Sequence, residues 1–279
     1  MINTSLEKLQ SALRKGMFNG MKTIGHRPGR VIRDLHYGRE PEQMLDIYLP
    51  TGDDRGAQLV FFHGGSWRSG HKDEYAFLGS ALAAFGIRCA VVGYRLFPQV
   101  RYPAFVEDAA HAVAWLQRDG ARYGFSAGPL FLMGHSAGAH IACLLALDER
   151  YRALAHLDAT SIRGVIGLSG VYRFRPENSE LHSAIFASAG PDFETVKPIN
   201  YVGPNQVPLL MLHGSKDTMV GYKTAQRMYE AAVAAGQKAS LHAQKGYGHV
   251  RPLFDFLPFM PNHQKTMALL LAFMTEHRA

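Results

Sequence analysis

Residues 130–147 read LFLMGHSAGAHIACLLAL, an apolar run, a glycine-flanked serine and a second apolar run at helical spacing. Leu130 to Met133 is typical of a buried strand, and Ala137 to Leu147 is typical of a helix. Between them Ser136 stands in the pattern G-x-S-x-G, which presents a serine hydroxyl on a sharp strand-to-helix turn. The pattern alone also occurs in glycine-rich turns without chemistry. In this context it predicts Ser136 as a nucleophile.

The alternation of strands and helices continues on both sides of this segment. Short apolar runs predict strands at residues 59–62, 89–92, 130–133, 165–168, 209–212 and 240–243. Helical spacing of apolar residues predicts helices at 76–85, 104–116, 137–147, 224–235 and 263–277. Val31 to Tyr37 and Met44 to Leu49 predict a hairpin that opens the sheet. The fold class is therefore α/β, with a mostly parallel central sheet flanked by helices.

The length of 279 residues fits one α/β domain with two additions. The domain is predicted at residues 30–279. Residues 1–29 are predicted as an N-terminal helical extension, with an amphipathic helix at 4–18. Residues 171–207 are longer than a simple crossover and contain four prolines. We expect them to form a small cap insertion over the site, with a helix near Ser179 to Phe186.

Composition and charge exclude several classes of protein. The hydrophobic fraction of 47% is ordinary for a soluble protein, and the net charge of +7 comes from scattered basic residues. No nucleic-acid partner is expected, because these basic residues are accompanied neither by interleaved aromatic residues nor by the cysteine and histidine spacing of a zinc finger.

Cys89 and Cys143 lie in apolar runs and are expected to be buried free thiols. No metal-ligand spacing, signal peptide or membrane span is found, so a cytoplasmic protein without metal or cofactor is expected. A homodimer stays possible.

A serine nucleophile needs a base and an orienting acid. In chains with this elbow the order is serine, then Asp or Glu, then histidine. Asp217 follows the apolar run at 209–212, and His249 lies in a glycine-rich loop after the run at 240–243. We therefore expect His249 to accept the proton of Ser136, and Asp217 to orient the imidazole.

Other acids and histidines compete with this assignment. Asp192 and Glu194, in the predicted cap insertion, are the alternatives to Asp217. Three more of the 14 histidines fall in strand or helix patterns, where surface or packing roles are expected; they are His242, His263 and His277.

Hydrogen-bond donors for an oxyanion are predicted after the strand at 59–62. The sequence there is His63-Gly64-Gly65-Ser66-Trp67, which has the form of an oxyanion-hole loop. The amides of Gly65 and Ser66 are expected to act with the amide of Ala137. The alternative is a plain glycine turn.

These motifs jointly resemble the hormone-sensitive-lipase-like esterases and the related small carboxylesterase and arylformamidase group. The resemblance also covers Tyr94-Arg95-Leu96 with Pro98 and Pro103, Glu107-Asp108-Ala109, and Asp46-Ile47-Tyr48-Leu49-Pro50. It spans roughly residue 31 to the C-terminus. Two departures are Ser66, where many members have a third glycine, and Gln99-Val100, where acidic and histidine residues are frequent.

The resemblance implies an α/β-hydrolase fold and a serine carboxylic ester hydrolase that acts on short to medium acyl esters through an acyl-enzyme. An arylformamidase that cleaves N-formylkynurenine is the nearest alternative. Trp67, Tyr94 and Phe97 would then line an aromatic substrate pocket, with core packing as the competing role for at least one of them. A non-catalytic member that binds a small ligand is a third hypothesis.

Overall fold

An eight-stranded β-sheet forms the centre of the computed structural model, which describes residues 16, 26, 29–50, 52–125, 130–158, 160–190 and 193–278. The strands are β1 (Arg30–His36), β2 (Met44–Leu49), β3 (Gln58–Phe62), β4 (Arg88–Val92), β5 (Leu130–His135), β6 (Ile162–Leu168), β7 (Leu209–Gly214) and β8 (Ala239–Gln244). Their spatial order is β1-β2-β4-β3-β5-β6-β7-β8. The first three pair antiparallel, and all later neighbours pair parallel. The predicted hairpin and mostly parallel sheet are confirmed.

Helices connect the strands. They are α1 (Ala76–Ala84), α2 (Ala104–Asp119), α3 (Ala137–Leu147), α4 (Glu149–Leu154), α5 (Glu180–Ile185), α6 (Lys223–Ala234), α7 (Arg251–Phe254) and α8 (His263–Glu276). The helix predicted at residues 4–18 falls, apart from Gly16, outside the described residues. Across the part of the chain that the structure describes, no helix combines the length and the apolar character needed to cross a membrane.

Two apolar cores cover the sheet, because alternate side chains of a strand point to opposite faces. In β3, Val60 and Phe62 pack in the core that includes α2 and α3, whereas Leu59 and Phe61 pack in the core that includes α1 and α8. Burial on both faces explains why the central strands read as continuous apolar runs. Cys89 and Cys143 are buried free thiols, one in each core, as predicted.

The predicted cap segment, residues 171–207, contains only short helices in its described part. It holds α5 and short 3-10 helices at Pro176–Asn178, Ala187–Ala189, Glu194–Val196 and Pro198–Tyr201. One anchor to the sheet domain is His140 on α3, whose Nε2 donates to the carbonyl of Val196 at 2.8 Å.

The carboxyl ends of the central parallel strands meet at one edge of the sheet. β3 leads into the His63 loop, β5 into Ser136 and β7 into the Asp217 loop. Ligands of open parallel sheets bind outside this edge. The topology therefore gathers at one place the three segments that the sequence singles out.

Candidate active site

Ser136 occupies the sharp turn between β5 and α3. Its backbone has φ 55° and ψ −118°, a sparsely populated region in which a non-glycine residue is strained. The turn is tight because a Cβ atom at Gly138 would overlap the carbonyl oxygen of Phe62, and one at Gly134 would overlap the backbone of Gly138. The two glycines of the motif thus permit α3 to approach β3 and present the serine hydroxyl.

A continuous hydrogen-bond chain joins the predicted nucleophile, base and acid. The hydroxyl of Ser136 lies 2.9 Å from Nε2 of His249, and Nδ1 of His249 lies 2.8 Å from Oδ2 of Asp217. All three residues are buried. With Nδ1 donating to the carboxylate, Nε2 is left as the acceptor for the serine proton.

Asp217 is held ionised by its surroundings. Burial by itself would raise the pKa of its carboxyl group. Hydrogen bonds from His213, His249 and the amide of Val220 outweigh that effect and hold the pKa well below its usual range. The amides of Met219 and Val220 donate to Oδ1 at 3.0 and 2.9 Å, in a turn that fixes the carboxylate. The acid is therefore charged and oriented toward His249.

Two further histidines flank this chain, and the sequence interpretation did not single them out. His213 is the second-to-last residue of β7, and its Nε2 lies 2.7 Å from the Val220 carbonyl and 3.1 Å from Oδ2 of Asp217. His135, next to the serine, donates from Nε2 to the carbonyl of His249 at 3.1 Å. Burial, then the charge of His249, lowers the pKa of His135 to about 3. His135 is thus a neutral hydrogen-bond donor beneath the base.

The loop from His63 to Trp67 adopts an unusual backbone conformation. Gly65, Ser66 and Trp67 have consecutive positive φ values of 132°, 52° and 56°. Among the described residues, the amides of Gly65, Ser66 and Ala137 donate to no protein acceptor. Unpaired amides beside a serine hydroxyl are what an oxyanion hole requires.

The same loop packs directly on the elbow. A Cβ at Gly64 would lie 2.7 Å from Nδ1 of His135 and 3.3 Å from Cβ of Ser136. Tyr94 supports the loop from behind, since its hydroxyl donates to the His63 carbonyl at 2.6 Å and its ring stacks on His63. The absence of a side chain at Gly64 is therefore a condition for placing the loop against the serine.

A cleft of about 220 Å³ opens over Ser136 and His249. It is lined by Ser66, Trp67, Ala137, Val171, Arg173, Phe174, His182, Met219, Val220, Gly221 and Thr224. Trp67 therefore lies where the sequence placed a substrate pocket. Tyr94 and Phe97 are not among the residues that line this cleft, and their place in a substrate pocket stays a prediction. The hydroxyl of Tyr94 is committed to the loop, and the Phe97 amide is bound to the Trp67 carbonyl at 2.9 Å.

The competing residues have other roles. Glu194 is exposed and pairs with Lys197 at 2.5 Å, and Asp192 lies outside the described residues. His242 is exposed on β8. His263 donates from Nδ1 to the backbone carbonyl of Asp255 within the core, and His277 packs on Phe273. None of these described side chains contacts Ser136 or His249.

Outside the cleft lining, three carboxylates of the described residues lie close enough together to be considered as a cation site. Asp34, Asp46 and Asp73 bring ligand oxygens within 4.8 Å of one another. The ammonium of Lys72 lies among them, at 2.6, 2.7 and 3.0 Å from the three carboxylates. The positive charge that this cluster needs is therefore supplied by the chain.

Comparison with known proteins agrees with this geometry. The BD-FAE family model matches residues 45–232, well over half of the chain. Probable isoprenylcysteine alpha-carbonyl methylesterase ICME of Oryza sativa subsp. japonica is 30% identical over 240 residues, which are 79% of this chain and 58% of that protein. Esterase LipC of Mycobacterium tuberculosis is 31% identical over 254 residues, 80% of this chain and 60% of that protein. The chain spans little more than half the length of these relatives.

Among solved structures, an inhibited esterase B from Lactobacillus rhamnosis superposes with a TM-score of 0.80. The match covers 98% of each chain at 20% identity, so it bears on the fold. Together with the sheet order, the elbow and the family match, it confirms the α/β-hydrolase fold that the motifs predict. The chain belongs to the BD-FAE family.

Proposed function

We propose that this protein is a serine carboxylic ester hydrolase that acts through an acyl-enzyme on Ser136. The observation that carries the proposal is the hydrogen-bond chain from Ser136 through His249 to Asp217, at 2.9 and 2.8 Å, at the floor of an open cleft. The names of the similar proteins, a methylesterase and an esterase, support the same reaction class.

The reaction would begin when Nε2 of His249 takes the proton of Ser136 as Oγ attacks the ester carbonyl. The tetrahedral oxyanion would accept hydrogen bonds from the amides of Gly65, Ser66 and Ala137. Collapse breaks the ester C–O bond, and the imidazolium returns its proton to the departing alcohol. Water, deprotonated by His249, then attacks the acyl-enzyme, and a carboxylic acid leaves with Ser136 regenerated.

A cleft of about 220 Å³ suits a short or medium acyl group. Residues 171–207 act in this proposal as a small cap, since Val171, Arg173, Phe174 and His182 contribute to the lining. Formamide hydrolysis loses part of its support, because Tyr94 and Phe97 do not face the cleft. A ligand-binding member without catalysis is disfavoured, because no member of the hydrogen-bond chain is replaced.

The test is hydrolysis of p-nitrophenyl esters from acetate to decanoate, with N-formylkynurenine run beside them. Wild type is compared with Ser136→Ala and with Ser240→Ala, a matched control on the exposed face of β8. Ser136→Ala should lower kcat by a factor on the order of 10⁴ or more. Ser240→Ala should behave as wild type.

Labelling with a fluorophosphonate gives an independent reading of the nucleophile. A single adduct on the peptide that contains Ser136, absent in Ser136→Ala, supports the proposal. A folded wild type that cleaves neither esters nor the formamide would contradict it, and a large preference for N-formylkynurenine would replace ester hydrolysis by formamide hydrolysis.

A further inference from the structure

Arg173 lines the cleft at the start of the cap segment, and its guanidinium makes no hydrogen bond or ion pair with any of the described residues. The backbone of Arg173 is fixed by two hydrogen bonds. The hydroxyl of Thr224 on α6 accepts from the Arg173 amide at 3.0 Å and donates to its carbonyl at 3.1 Å. The side chain is exposed while its backbone is anchored on both sides. A cation is thus presented to the cleft without a hydrogen-bonded counter-ion among the described residues.

In the described part of the chain, no carboxylate lines the cleft. Asp217 lies behind His249 with a fully buried side chain, and its oxygens are occupied by His213, His249 and two amides. The carboxylate of Glu194 is bound by Lys197 and Asn200, which lower its pKa, and the charge of Arg173 contributes less to that shift. Among the described residues, no carboxylate is therefore bound to the Arg173 guanidinium at this wall.

The other titratable side chain that the cap segment contributes to the lining adds no charge near pH 7. His182 on α5 lines the cleft, and its pKa is lowered first by burial and then by the charge of Arg68. His182 is accordingly neutral near pH 7. Arg173 is thus the single permanent cation among the described residues that line the cleft. Trp67 and Phe174 stack beside it with ring centroids 5.6 Å apart and form an apolar wall.

On the basis of the proposed ester hydrolysis, we propose that Arg173 determines substrate specificity by binding a carboxylate carried by the ester. A guanidinium binds a planar carboxylate through two parallel hydrogen bonds. One cation matches one negative charge, which favours a monoanionic carboxylate over a dianionic phosphate. The substrate class is an ester with an apolar or aromatic body next to Trp67 and Phe174 and a carboxylate that reaches the rim.

The experiment uses substrate pairs that differ only by methyl capping of the carboxylate. On the alcohol side the pair is 4-acetoxybenzoate and methyl 4-acetoxybenzoate. On the acyl side the pair is mono-4-nitrophenyl adipate and its methyl ester. Release of the phenol is followed at low salt, and the anion preference is the ratio of kcat/KM for the free acid to that for the capped ester.

Wild type should prefer the free acid in at least one pair. The pair that shows this preference identifies whether the alcohol side or the acyl side of the ester carries the carboxylate. Arg173→Gln should lower that preference by about ten- to a hundred-fold, mainly through KM, because it removes a charge-assisted hydrogen bond. Arg173→Lys should retain part of it. The matched control is Arg175→Gln, an exposed arginine of the same segment that does not line the cleft and should leave the preference unchanged.

Equal kcat/KM for the free acid and the capped ester in both wild-type pairs would overturn the inference. An equal loss of anion preference in Arg173→Gln and Arg175→Gln would also overturn it, because it would indicate an effect of net charge alone. Preference for 4-acetoxyphenyl phosphate over 4-acetoxybenzoate would replace the carboxylate by a phosphate. Failure of wild type to cleave the capped esters, with no difference from Ser136→Ala on any substrate, would remove the proposed function itself. The two failures are therefore distinguishable.

Discussion

At the scale of single residues, the geometry of Asp217 depends on two histidines that share one oxygen. Oδ2 lies 2.8 Å from Nδ1 of His249 and 3.1 Å from Nε2 of His213. His213 also binds the Val220 carbonyl, and the amide of Val220 binds Oδ1 of the same carboxylate. His213 therefore closes the turn that carries Asp217. It touches neither Ser136 nor the cleft, so it is a positioning residue.

Replacement of His213 should test this role. His213→Leu is expected to lower kcat by about tenfold with little change in KM, because a hydrogen bond to a charged group is lost while the cleft is untouched. His213→Gln should recover part of kcat, since its amide can donate to the same oxygens. His242→Leu, on the exposed face of β8, is the matched control. An equal fall in kcat for Leu and Gln, at unchanged urea midpoints, would contradict a role in hydrogen bonding.

The residues that the structure brings together at Ser136 could be expected from the sequence because each carries a local signal. The elbow has its glycines, and Asp217 and His249 follow strands in the required order. His213 and Arg173 carry no such signal. The role of His213 depends on its contact with the Val220 turn, and that of Arg173 depends on its position in the cleft. Both arise only in the folded chain. The position of His213 at the carboxyl end of β7 was the available hint.

At the scale of secondary-structure elements, an ion cluster centred on the buried side chains of Lys72 and Asp46 ties the antiparallel edge of the sheet to the loop beside Ser136. A bulge between Ile32 and Leu35 turns Asp34 to φ 56°, and its amide donates to Asp46 on β2 at 2.9 Å. Lys72 bonds both carboxylates from the 3-10 helix Lys72–Tyr75. The hydroxyl of Tyr75, in the same helix, lies 3.3 Å from the Gly64 amide.

Removal of the Lys72 charge should destabilise the protein strongly. The Lys72 and Asp46 side chains are 1% and 0% exposed, so Lys72→Met leaves a buried carboxylate without its main partner. The expected loss in free energy of unfolding is about 3–5 kcal/mol by urea denaturation. Lys72→Met combined with Asp46→Leu should recover a large part of it. Arg118→Met, which breaks an exposed pair with Asp119, is the control and should cost less than about 1 kcal/mol.

Element prediction succeeds here for the parts that are long or fully buried. Five central strands read as apolar runs, α2 shows helical periodicity over 16 residues, and α3 reads as an apolar run of 11 residues because it is buried on all sides. α4, α7 and the 3-10 helices are too short for a period to be visible. The burial of Lys72 could not be predicted either, because a lysine in a polar stretch is expected to be exposed. It is buried because three carboxylates converge on its ammonium group in the fold.

At the scale of the whole molecule, two buried histidines make the fold sensitive to acid. Burial lowers the pKa of His140 to about 3, and burial with the nearby charge of His249 lowers that of His135 to about 3. Their ordinary value is 6.5. Both side chains join parts of the fold: His140 connects α3 to the cap segment, and His135 connects the elbow to the His249 loop.

The sign of the effect follows from proton uptake. Between about pH 6.5 and pH 3 the unfolded chain binds a proton at each of these histidines and the folded chain does not. The free energy of unfolding therefore falls as the pH is lowered through this window, by up to about 1.4 kcal/mol per pH unit for each histidine.

His140→Gln tests this effect, because it keeps a donor for the Val196 carbonyl and removes one titratable group. Urea denaturation between pH 4 and 6 should then show a slope smaller by about one proton, whereas His111→Gln, at an exposed site on α2, should leave the slope as in wild type. Identical slopes for wild type and His140→Gln would mean that His140 takes up its proton in the folded state, and the burial argument for this histidine would be wrong.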